Sequence, residues 1–110
     1  MSERLLQINF KLGVTPKEYE QAAKSLVDQF ANLPGLMWKI WTMNEEKGEA
    51  GGIYLFENEN SLNAFLAGPL AKTVTSHPGL SDFSVKSFTI MNDLTEITQG
   101  PLVNNLKSIA

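Results

Sequence analysis

The sequence predicts an α+β domain of the ferredoxin-like, split βαβ kind, a four-stranded antiparallel sheet with two helices on one face. Three observations predict it. Short apolar-rich runs with a period of two are interrupted by two stretches of helical spacing, in the order strand, helix, strand, strand, helix, strand. Right-handed crossovers then place both helices on the same face of the sheet. Residues 35–56, GLMWKIWTMNEEKGEAGGIYLF, read as a hairpin that is apolar on both sides.

The first strand is expected over Leu5 to Phe10, with Leu6, Ile8 and Phe10 on one side and Leu5, Gln7 and Asn9 on the other. Gly13 ends it. Thr15, Pro16 and Glu18 form a helix start: a capping residue, a proline at the first helical position and the glutamate of a capping box. Tyr19, Ala22, Ala23, Leu26, Val27 and Phe30 follow as one apolar stripe. Asn32, Pro34 and Gly35 stop that helix.

Along the hairpin, Leu36, Trp38 and Ile40 alternate with Met37, Trp41 and Met43, so the two tryptophans project from opposite sides of a regular strand. The turn falls within Asn44 to Gly48. The return strand sets Ile53 and Leu55 against Tyr54 and Phe56, and its Gly51-Gly52 pair signals a bulge or a close backbone approach. A second helix is expected to begin near Asn58 to Ser61 and to bury Leu62, Phe65 and Leu66. Gly68-Pro69 interrupts it, and Leu70 and Val74 continue a shorter piece that His77, Pro78 and Gly79 stop. Asp82 to Met91 read as the fourth strand, with Phe83 and Val85 on the side opposite Phe88 and Ile90.

Residues 1–110 are thus read as one domain, with 92–110 as a tail. Gly100-Pro101 suggests a short helix in that tail, with Leu102, Val103, Leu106 and Ile109 on one side. The helices cover one face of the sheet, yet every strand is apolar on both. Full burial of one tryptophan is worth an upper bound of ~4–6 kcal/mol, large against a total stability of ~5–15 kcal/mol. A homodimer pairing the uncovered faces, with the tail resting on the partner, is the arrangement this pattern predicts.

Composition excludes several classes. Hydrophobic residues are 43% and charged residues 19%, ordinary for a globular protein and too apolar for disorder. The net charge is −3 and the nine cations are scattered, so no nucleic-acid partner is expected. The chain has no cysteine, which removes disulfides and thiolate metal sites and fits a cytoplasmic location. The N-terminal run lacks the apolar core of a signal peptide, and no stretch is long enough to span a bilayer, so no membrane partner is expected. Walker loops, G-x-G-x-x-G, H-E-x-x-H and nucleophile elbows are missing.

With its elements in place, the chain resembles the putative monooxygenase family of the YdhR type. The runs WKIWT (Trp38 to Thr42), EAGGIYLF (Glu49 to Phe56) and the opening LLQINF carry the resemblance, which is strongest from Pro34 to Leu66. It implies a dimeric α+β barrel, in which two ferredoxin-like sheets pair. It also implies relatives that are cofactor-independent oxygenases of aromatic polyketides, haem-degrading oxygenases, or small ligand-binding and stress-response proteins. A haem-degrading relative uses an Asn on the first strand, a Trp on the second helix and a later His. Here Asn9 and His77 correspond, but Phe65 stands at the aromatic position and its distance in sequence from His77 is long, so this activity is disfavoured.

The candidate site residues follow. His77 is either a helix-terminal side chain interacting with the dipole or a general base at a pocket mouth. Trp38, Trp41, Tyr54 and Phe56, with Phe65, line an apolar pocket for an aromatic ligand or pack as core. Gln7 and Asn9 bind a substrate oxygen or bridge to an opposing subunit. Glu45, Glu46 and Glu49 are read as a solvated turn, and no metal or cofactor is expected. In the oxygenase reading His77, Asn9 and Tyr54 are catalytic, and Gln7, Trp38, Trp41, Phe56 and Phe65 contact substrate. In the rival reading the protein is a non-catalytic dimer that holds a small apolar or aromatic ligand.

Overall fold

The structure is a computed structural model and describes residues 2–102. Its elements are β1 (Arg4–Leu12), α1 (Pro16–Lys24), α2 (Val27–Ala31), β2 (Leu36–Asn44), β3 (Glu49–Phe56), α3 (Glu59–Ala67), α4 (Pro69–Thr75), β4 (Leu80–Thr89) and α5 (Asn92–Ile97). The strands form one sheet in the order β2-β3-β1-β4, every neighbour antiparallel. This is the ferredoxin-like arrangement. The helix-side core is built on Leu6, Ile8 and Phe10 of β1, Tyr54 and Phe56 of β3, Phe30 of α2, and Leu62 and Phe65 of α3.

Local chemistry accounts for the helix boundaries. Thr15 Oγ1 accepts the Glu18 N–H at 3.1 Å and Glu18 Oε1 accepts the Thr15 N–H at 3.0 Å, a complete capping box. Asn58 caps α3 by accepting the Ser61 N–H at 2.8 Å. The single first helix expected from the apolar stripe is broken in two. Ser25 Oγ donates to the Ala22 carbonyl at 2.6 Å, and the chain tightens there before restarting at Val27.

Strand parity is as the alternation requires, with one exception. Trp41 stands opposite Gly52 on the helix side, and Trp38 stands opposite Leu55 on the far side. The exception is Leu36. Met37 is an extra residue in the β2–β3 ladder, and this bulge returns Leu36 to the helix side, opposite Phe56 and against the core. A second bulge lies where Phe10 of β1 faces both Asp82 and Phe83, with Asp82 at φ 53°. Leu66, expected in the core, is exposed, because α3 turns Leu62 and Phe65 inward instead. Helix α5 was not anticipated in the tail.

On the far side, the chain's own tail covers part of the sheet. Trp38 Nε1 donates to the Pro101 carbonyl at 2.8 Å. Leu55 and Leu102 are both buried, although neither belongs to the helix-side cluster. Ile40 and Phe88 remain exposed on that side, and Met91, Leu94 and Ile97 are exposed on or beside α5. The rest of the expected tail stripe, Val103, Leu106 and Ile109, lies outside the described residues.

Gly51 and Gly52 mark a close approach rather than a bulge, since the β1–β3 register is unbroken from Arg4 to Lys11. A Cβ at Gly51 would strike the Ile8 carbonyl oxygen and lie 2.9 Å from Asn9 Oδ1. Gly51→Ala is therefore expected to lower stability by about 2–3 kcal/mol. Gly48→Ala, at φ +64° with nothing within 4 Å of the new methyl, should cost about 1 kcal/mol, all of it backbone strain. Urea midpoints of the two variants check the ranking.

Candidate functional site

Helices α1 and α2 do not close down on β2 and β3. Alanines 22 and 23 face the sheet from α1, and their short side chains leave a cavity of about 410 Å³. Its walls include Phe10, Trp41 and Tyr54 from the strands, Tyr19 from α1 and Phe30 from α2, with His77 beyond the end of α4. The volume suits a ligand of a few fused rings, and the lining is that of a small-molecule site: mostly apolar, with a few polar groups.

The most unusual polar group is Lys39. Parity sets it opposite Tyr54 on the helix side. Its Nζ lies 3.3 Å from the Trp41 ring centre, 3.6 Å from that of Phe30 and 4.7 Å from that of Tyr54. Gly52 makes the path possible, because a Cβ there would come within 2.7 Å of Lys39 Cε. Among the described residues Lys39 has no ion-pair partner, whereas Arg4 pairs with Glu59 and Lys11 with Asp82. Burial penalises the ammonium and holds the Lys39 pKa down to about 7. The three ring faces attract the cation and oppose that drop. Both the amine and the ammonium are therefore accessible near neutrality.

Tyr54 forms the wall beneath. Its ring packs on Phe65 at 5.3 Å and Phe56 at 6.1 Å, which fixes its position. Its hydroxyl makes no hydrogen bond to another described residue. Burial, and secondarily the nearby Tyr19, push its ionisation well above the usual tyrosine range, so it is a phenol that donates. Burial pushes Tyr19 up as well. Glu18 also borders the cavity, but the Thr15 backbone and side-chain hydrogen bonds hold its carboxylate below the usual range and in its capping role.

His77 is exposed at the rim. Its Nδ1 accepts the Gly79 N–H at 3.0 Å, and the Gly13 N–H ties that turn to β1 through the Gly79 carbonyl at 2.7 Å. With Nδ1 engaged as an acceptor, the neutral ring carries its proton on Nε2 and offers a donor to the cavity rather than a free lone pair.

The structure brings Trp41, Tyr54 and His77 to one cavity and leaves the other candidates elsewhere. Phe56 and Phe65 are buried behind Tyr54; Phe65 instead borders a second cavity of about 340 Å³ on the other side of that ring. Gln7 and Asn9 lie on the far side of the sheet, at a shallow pocket shared with Thr42, Asn44 and Glu49. Trp38 is also on the far side, bonded to the tail. Among the described residues no three His, Asp or Glu side chains converge as metal ligands. Lys39 was missed because the tryptophans flanking it drew the reading. The available signal was a lone charge inside an apolar, two-sided strand.

The depressed pKa makes stability depend on pH. The folded value lies below the unfolded 10.5, so in the window between them the unfolded chain binds the additional proton and stability rises with pH. Between about pH 7 and about pH 9 the gain is about 1–2 kcal/mol after partial solvation is allowed for. Lys39→Met should abolish this slope and be the more stable protein at neutral pH. Urea unfolding at both pH values checks it.

Comparison with known proteins bears on fold and family. The family model described as "Putative mono-oxygenase ydhR" matches residues 5–101. No curated protein matches the sequence. Among solved structures, SnoaB, a cofactor-independent oxygenase from Streptomyces nogalater, is similar with 20% identity over 82% of this chain and 94% of its own, at a TM-score of 0.68. A monooxygenase from Streptomyces coelicolor, the product of ActVA-Orf6 bound to Nanaomycin D, shares 18% identity over 81% of this chain and 88% of its own, at a TM-score of 0.62. A protein of unknown function from Nitrosomonas europaea shares 15% over 83% and 91%, at 0.66. At these identities the structures bear out the fold, while the family model spans nearly the whole sheet, the cavity and the described tail. The chain belongs to the ydhR mono-oxygenase family.

Proposed function

We propose that the protein is a cofactor-independent monooxygenase that oxidises a small aromatic or polyketide-like substrate with O₂ in the cavity between the sheet and α1–α2. The observation that carries this reading is an aromatic-walled cavity lined by Tyr54, a protonated phenol whose hydroxyl makes no hydrogen bond to another described residue. The family supports it, as do similar structures that include a cofactor-independent oxygenase and a monooxygenase bound to Nanaomycin D.

The substrate supplies the electrons. A phenol or enol loses its proton to a base on the wall, and the charge delocalises onto ring carbon. That carbon bonds to one oxygen of O₂, leaving a peroxide that takes a proton. Loss of water from the hydroperoxide, with departure of the remaining C–H proton, leaves a new carbonyl. One oxygen atom enters the product and the other leaves as water. Tyr54 donates to the substrate oxygen as its charge grows, and the apolar walls exclude water from the anion. Haem degradation fits less well, because Asn9 and His77 fall on opposite sides of the sheet and cannot face one ligand.

The chain is proposed to act as a homodimer, with Ile40 and Phe88 of the far side and the apolar residues of α5 forming the contact. Sedimentation at micromolar concentration should show a dimer that weakens when Ile40 and Phe88 are both changed to Ser. A non-catalytic ligand-binding role is the second reading, favoured by the exposed His77 whose Nδ1 is already engaged.

Oxygen uptake with hydroxylated anthrones and quinols separates the two. Uptake above the uncatalysed rate, reduced about 100-fold in Tyr54→Phe, is the oxygenase result. Tight binding of the same molecules with no uptake is the binder result.

A further inference from the structure

We propose that Lys39 accepts the proton from an acidic oxygen of the ligand and then holds the resulting anion, so that the cavity selects aromatic molecules with an ionisable hydroxyl, a phenol or an enol. This rests on the cavity being the ligand site, as above, but not on any reaction with O₂.

The geometry is that of a cation lacking its counter-charge. Nζ is held over the faces of Trp41 and Phe30 at 3.3 and 3.6 Å, where a flat ligand entering the cavity would meet the same rings. The titratable groups that share these walls are Tyr54 from β3, Tyr19 and Glu18 from α1, and His77 after α4; α2 contributes Phe30. None forms an ion pair with Nζ. Both tyrosines are held protonated, and the Glu18 carboxylate, the one negative charge on these walls, is held by Thr15 and is not paired with Lys39. An ammonium among rings without an anion is costly, and an arriving phenolate removes that cost.

The proton step balances within the pair. The ligand O–H bond breaks, its electrons stay on oxygen, and the Lys39 amine gains an N–H bond; nothing is oxidised. Burial prepares the amine for this by keeping it partly unprotonated at rest. A methyl ether of equal size has no proton to give and leaves the nitrogen without a counter-charge.

The test uses the whole chain, with β-naphthol and its methyl ether as probes, followed by tryptophan fluorescence and ligand absorption. The parent should bind β-naphthol about tenfold more tightly than the ether. The bound molecule should show the long-wavelength naphtholate band at about pH 8, below the ionisation of free naphthol. Naphthol affinity in the parent should fall below about pH 7, where Lys39 is already protonated, and fall again above the ionisation of naphthol. Lys39→Met should lose the band and bring the affinity ratio to about one. Lys39→Arg keeps the charge but cannot accept a proton, so its affinity should climb with pH to the ionisation of naphthol and then stay high. Equal affinity for naphthol and ether in the parent, or a naphtholate band that survives in Lys39→Met, overturns the proposal. Absence of oxygen uptake leaves these binding results standing, so the two readings fail separately.

Discussion

Side chains alternate along β2 and β3, and this parity organises the centre of the molecule. It sends Lys39, Trp41, Tyr54 and Phe56 toward the helices and Trp38, Ile40, Ile53 and Leu55 away from them. A sheet apolar on both sides needs two covers. The helices provide one, and the cover is incomplete above β2 because α1 presents alanines where larger residues would fill the space. The other side has a partial cover from the chain itself, through the Trp38–Pro101 hydrogen bond and the burial of Leu55 and Leu102. The two tryptophans of one strand therefore do different work. Trp38 anchors the tail, and Trp41 walls the cavity.

A half-buried amine without an ion-pair partner works against stability, and the surrounding sequence enforces it. Gly52 clears the path of the Lys39 stem, and the ring faces of Phe30, Trp41 and Tyr54 accept the charge only in part. A leucine or methionine at this position would pack against the same rings with no desolvation penalty. Local rules of burial are broken mostly where function requires it, and here the break sits on the wall of the aromatic-lined cavity between the sheet and helices α1 and α2. Stability and chemistry draw on the same group. Whatever holds Lys39 near its titration point also weakens the fold at neutral pH.

Much of the fold was legible because its signals are local. The capping box of Thr15 and Glu18, the Asn58 cap, the period-two runs and the glycine pair each act within a few residues. What escaped depends on events that shift a pattern by one residue. The Met37 bulge moves Leu36 across the sheet, and the Ser25 back-bond divides one helix into two, yet neither changes composition. The candidate site was legible in type but not in membership. Aromatic character marked Trp41 and Tyr54 correctly as cavity walls, but the same character belongs to Phe56 and Phe65, which pack behind them. Gln7 and Asn9 were grouped with His77 by chemistry alone, while parity places them through the sheet from it.

Tyr54 borders both cavities on the helix side of the sheet. Its ring separates the cavity under α1 and α2 from the smaller one bordered by Phe65, Gly68 and Ala71, and both cavities also touch Val74. Stacking on Phe56 and tilted packing against Phe65 fix the ring, and opposition to Lys39 across the β2–β3 ladder fixes which side it serves. Its hydroxyl is then a donor whose direction is set by core packing rather than by another polar group. A donor held in this way needs no reorganisation when charge develops beside it, which is the condition under which a single hydrogen bond has its largest effect on a reaction. The aromatic core of this protein is in that sense part of its site, since loosening Phe65 would move the Tyr54 hydroxyl without touching the cavity wall itself.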